Sequence, residues 1–79
     1  MWVITRDLIN NNLRKGVCSP GFLEGTVLPF EFRLSDDDGK VYYRGWSDDS
    51  SSFGPLRFGQ VTAGCTKIQY WENGEWAHL

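Results

Sequence analysis

The 79 residues of this chain suffice for one domain, and a domain this short buries only about 60–65% of the surface that its unfolded chain exposes. Four Trp, five Phe and three Tyr supply the bulk that so small a core needs and leave a surplus for contact with a partner. A net charge of −2 with scattered basic residues disfavours general nucleic-acid binding, and no basic leader with an apolar run or long apolar span is present, so a cytoplasmic, membrane-free protein is expected.

In chain order, Trp2–Thr5 reads as a strand. The stretch from Asp7 to Thr26 carries Asn10, Asn11, Asn12, Gly16, Pro20, Gly21 and Gly25 and reads as an irregular excursion. A hairpin follows over 28–46. Phe30, Phe32 and Leu34 alternate with Glu31 and Arg33, Asp38-Gly39 suits the turn, and Lys40–Trp46 returns. Ser47–Ser52 is polar and turn-like. Pro55 to Ala63, closed by Gly64, carries the punctuation of a short helix, with Leu56, Val61 and either Phe58 or Ala63 facing a sheet. Gly59 inside it costs about 1 kcal/mol relative to alanine. A second hairpin spans 66–79, with Asn73-Gly74 supplying the two positive-φ positions of a tight turn. The expected fold is α+β: a four- to five-stranded antiparallel sheet with one helix on a face.

The order and spacing of several segments resemble a group of small bacterial, plasmid- or phage-associated proteins. Those segments are Phe32-Arg33-Leu34-Ser35-Asp36-Asp37-Asp38-Gly39, Val41-Tyr42-Tyr43, Ser47-Asp48-Asp49, Phe53-Gly54-Pro55-Leu56, Ala63-Gly64-Cys65-Thr66, Ile68-Gln69-Tyr70 and Asn73-Gly74-Glu75-Trp76. The resemblance covers roughly two thirds of the chain and departs from the pattern at Arg44 and Trp46. It implies a mobile-element origin and carries no activity with it.

Residues that could do chemistry are few. His78, near the C-terminal end, is the one histidine, and nothing in the sequence sets it beside Cys65 as a base beside a nucleophile. Paired-carboxylate catalysis needs a deep cleft that a domain of this size has little material to build. The run Asp36-Asp37-Asp38-Gly39 lacks the alternating acids and closing Glu of a calcium loop, and two cysteines with one histidine fall short of a structural zinc site. No enzyme activity, cofactor or metal is expected. Cys18 and Cys65 are expected to be free thiols in a cytoplasmic protein.

Three binding readings remain. The first is a protein-binding module that meets a basic, nucleic-acid-handling partner through Asp36, Asp37, Asp38, Trp46, Asp48 and Asp49, in the manner of a phage-borne inhibitor such as an anti-CRISPR protein. Both acid clusters flank the strand Lys40–Trp46, so they are expected at one end or along one edge of the sheet. Reversing the charges of Asp36, Asp37 and Asp38 is then expected to spare stability. The second is a single-strand-binding sheet using Tyr42, Arg44, Trp46 and Trp71, with Trp76, Arg33 and Lys67 nearby. Against it, the same side chains could form a second sheet face packed under the N-terminal excursion. The third is a self-associating structural protein, such as a homodimer.

Overall fold

The computed structural model describes residues 1–9, 17–23 and 25–79. Alternation in Phe30–Ser35 makes this strand, β2, the centre of the sheet: Phe32 and Leu34 are fully buried, whereas Glu31 and Arg33 emerge on the opposite side. With β1 (Trp2–Asp7), β3 (Val41–Ser47), β4 (Lys67–Glu72) and β5 (Glu75–His78), it forms an antiparallel sheet in the order β1-β3-β2-β4-β5. The fold is therefore α+β, with five strands and one helix, α1 (Gly54–Ala63). That helix is too short to cross a membrane, and no helix among the described residues is long and apolar enough to do so.

Both expected hairpins form. At β4–β5, Asn73 and Gly74 take φ of 53° and 82°, the mirror-image turn that the dipeptide favours. At β2–β3, Gly39 takes φ 84° and the Asp36 N–H donates to the Lys40 carbonyl. The first strand runs two residues beyond the expected Thr5, because a bulge between Ile4 and Arg6 returns the chain to register with β3. The described part of the excursion meets the sheet at its edge, where Cys18 bridges Val3 and the Ile4 N–H donates to the Val17 carbonyl. Residues 10–16 and 24 of that excursion lie outside the described residues.

Helix α1 starts at Gly54, whose N–H donates to the Ser52 hydroxyl, and ends where the Gly64 and Cys65 amides donate to the Gln60 and Gly59 carbonyls. Gly64 takes the left-handed conformation there, φ 72°. Pro55, Leu56 and Gly59 are buried, and Phe58 packs edge-on to Tyr43 with ring centroids 5.3 Å apart. Val61, expected to face the sheet, is instead 86% exposed. The stripe through Leu56, Gly59 and Ala63 meets the sheet, and Val61 stands two residues, about 200°, around from Gly59. The core between helix and sheet comprises Ile4, Phe32, Leu34, Tyr43, Leu56, Cys65, Ile68 and Tyr70. Cys65 is a buried, free thiol.

Candidate functional site

The helix covers one face of the sheet, and cross-strand register identifies what stands on the other. Arg6 is opposite Arg44, Arg44 is opposite Arg33, Arg33 is opposite Gln69, and Gln69 is opposite His78. The helix-side neighbours of this row are Phe32, Leu34, Tyr43, Ile68 and Tyr70, so the row lies on the open face. Beside it, Glu31 is opposite Trp46 and Trp71 is opposite Trp76, while Lys67 follows from alternation with Gln69. Among the described residues of these strands, the face thus carries four cations, Arg6, Arg33, Arg44 and Lys67, and one acid, Glu31. The whole chain has eight cations and ten acids, so the charge is strongly segregated.

The face is organised around Trp76. Its ring leans back across β4, with the Arg33 guanidinium carbon 4.4 Å and that of Arg44 5.5 Å from the ring centroid. Trp71 meets Trp76 edge to face at 5.3 Å. Arg33 Nε donates to Gln69 Oε1 at 2.6 Å, and Gln69 Nε2 lies 3.1 Å from His78 Nε2. Arg44 donates from Nη2 to Glu31 Oε2 at 2.9 Å. Desolvation first and the neighbouring Arg44 charge second lower the Arg33 pKa from its ordinary value. Trp46 and Trp71 keep 39% and 45% of their surface exposed, which leaves ring faces for contact.

The acidic residues are placed differently from the expectation. Asp36, Asp37 and Asp38 lie in the β2–β3 turn, whereas Asp48 and Asp49 follow the far end of β3. Seven strand residues at roughly 3.3 Å each hold the two clusters about 20 Å apart, at opposite ends of an interior strand. Most of these carboxylates serve the fold. Asp36 accepts from the Asp38 and Lys40 amides and from the Tyr42 hydroxyl, and the Lys40 hydrogen bond is the main cause of its lowered pKa. Asp37 accepts from the Thr66 hydroxyl, Asp48 from the Met1 amino group, and Asp49 from the Ser51 amide and hydroxyl. Trp46 is on the open face, opposite Glu31 and two residues before Asp48. Reversing the three turn charges together would therefore remove turn hydrogen bonds as well as charge, and stability would fall. Tyr42 is drawn toward this turn and against the core.

His78 and Cys65 stand on opposite sides of the sheet, His78 beside Gln69 on the open face and Cys65 under Gly59 of the helix. They cannot act as a nucleophile–base pair in this arrangement. Among the described residues no three His, Cys, Asp or Glu side chains gather as metal ligands would. A shallow groove of about 340 Å³ lies at the start of the helix, lined by Phe53, Gly54, Leu56, Arg57 and Gln60.

Among the described residues, the fold is an α+β sheet covered on one side and open on the other, with an arginine row and three tryptophans on the open side. Comparison with protein-family models, curated proteins and solved structures finds no match to this chain.

Proposed function

We propose that the chain is a non-enzymatic binding module of the bacterial cytoplasm that takes single-stranded nucleic acid on the open face of its sheet. The observation that carries this reading is the gathering of four cations, one acid and Trp46, Trp71 and Trp76 on one surface of an acidic chain. Phosphates supply charge for the cations, and unpaired bases supply planes for the exposed indoles. Stacking of that kind contributes about 1–3 kcal/mol per base. A polyanion running along the strands would meet Asp36–Asp38 at one end of β3 and Asp48–Asp49 at the other. One running across the strands follows the row Arg6, Arg44, Arg33 instead. The ligand therefore crosses the sheet, and the site accepts only a few nucleotides.

Tryptophan fluorescence measured against a short oligothymidine tests the proposal. Quenching is expected at low salt, with affinity falling as salt rises and a log–log slope of about −2 for three phosphate contacts on a single strand. The absence of quenching at low salt, or binding indifferent to salt, would overturn it. Capture of a basic protein partner by the acidic turns would favour the inhibitor reading instead.

A further inference from the structure

Resting on the nucleic-acid reading, we infer that Glu31 is a built-in competitor of the ligand: its carboxylate occupies on Arg44 the position that a backbone phosphate takes when the strand binds. Arg33 and Arg44 are directly opposite one another on β2 and β3, an arrangement of like charges that a sheet disfavours. They stay together because both rest on Trp76, while Gln69 holds Arg33 and Glu31 holds Arg44. The two are not neutralised alike. Glu31 supplies Arg44 with a carboxylate at 2.9 Å, whereas Arg33 has only the neutral amide of Gln69, and no acid pairs with it among the described residues.

Two guanidinium groups with a carboxylate on only one of them leave charge for a phosphate, and the planar forks of both arginines suit its oxygens. The Arg44 and Glu31 side chains keep 35% and 25% of their surface exposed, so the pair is within reach of solvent and an exchange of partners needs no unfolding. Glu31 is the one acid on the face among the described residues, and it stands directly opposite Trp46, an exposed indole offered to a base. Its carboxylate thus lowers affinity and sets a threshold: ligands that bring phosphate and base together displace it, and isolated anions do so less well.

The test compares the intact chain with Glu31→Gln and, as a charge-matched control, Glu72→Gln, which lies on β4 on the helix side of the sheet. Each is titrated with oligothymidine by tryptophan fluorescence across a salt series, after thermal melting shows that it is folded. Glu31→Gln is expected to bind about fivefold tighter, the scale of a partly exposed ion pair. Its salt slope should stay near that of the intact chain, because the same three phosphates are contacted in both. Glu72→Gln should match wild type within about twofold with an unchanged slope. Equal or weaker binding by Glu31→Gln overturns the inference and leaves the nucleic-acid reading standing. Equal gains in both variants also overturn it, because the effect is then only net charge. Should Glu31→Gln fail to fold, Glu31→Ala is read in the same way. Binding by none of the chains overturns the nucleic-acid reading and the inference together.

Discussion

Gly45 lies in the middle of β3, opposite Ile4 on one side and Phe32 on the other. A Cβ there would run into the Val3 carbonyl oxygen and come within 2.6 Å of the Phe32 ring, both held by the sheet and the core. Gly59 has a milder version of the same constraint, since its Cβ would meet Leu34 and Cys65 at 3.0 Å. The glycine that lowers helix propensity is thus the one that lets the helix lie close to the sheet. Gly45→Ala is expected to destabilise the protein by about 3 kcal/mol, the upper part of the usual range for overpacking. Urea denaturation measures this directly. A variant within about 0.5 kcal/mol of wild type would mean that β1 does not approach β3 as described.

The β2–β3 hairpin joins two jobs that the sequence made look like one. Its three consecutive aspartates present charge, yet Asp36 is mainly a structural acceptor that ties the turn together through the Lys40 and Asp38 amides and the Tyr42 hydroxyl. Those bonds favour its charged form, so its pKa in the folded protein is lowered. The stabilisation is therefore complete above the ordinary aspartate range near pH 4 and is lost as pH falls through the lower folded value. Asp36→Asn should melt at a lower temperature than wild type at neutral pH, and the gap should narrow as the solution is acidified below about pH 4. Thermal melting by circular dichroism at several pH values checks this. A gap that is constant with pH would assign the loss to shape rather than charge.

At the largest scale, the proposed function rests on a division between two faces of one sheet. The helix side is built for burial, and the open side for contact. Trp46 and Trp71 make that division testable because they are 39% and 45% exposed, and truncating them costs the core little. Trp46→Ala and Trp71→Ala should each weaken oligonucleotide binding by about 1–3 kcal/mol, and Trp71→Ala should also lower stability by about 0.5–1.5 kcal/mol through its lost ring contact with Trp76. Fluorescence anisotropy of a labelled oligonucleotide reads the first effect and calorimetry the second. Loss of stability without loss of affinity would return these indoles to a purely structural role. Trp76→Ala is the informative contrast, since Arg33 and Arg44 both lean on that ring and would lose their common support.

The strands, both hairpins and the helix are legible in the sequence, because their signals are local: the alternation of Phe30, Phe32 and Leu34, the Asn73-Gly74 pair, and Pro55 with Gly64. The sequence also put Arg33, Arg44, Lys67, Tyr42, Trp46, Trp71 and Trp76 forward as a candidate face from alternation along each strand, and of these Tyr42 packs against the core instead. Strand order and register are long-range pairings, and the tertiary structure decided them. Order placed β3 inside the sheet, whereas the separation of Asp36–Asp38 from Asp48–Asp49 already follows from the seven extended residues between them. Register lined Arg6 up with Arg44 across a bulge that no local signal marks, and set Glu31 against Arg44 and Trp76 beneath both central arginines. The local pattern fixes which face a side chain takes within its strand, whereas its neighbours across the sheet depend on segments that become adjacent only when the core closes.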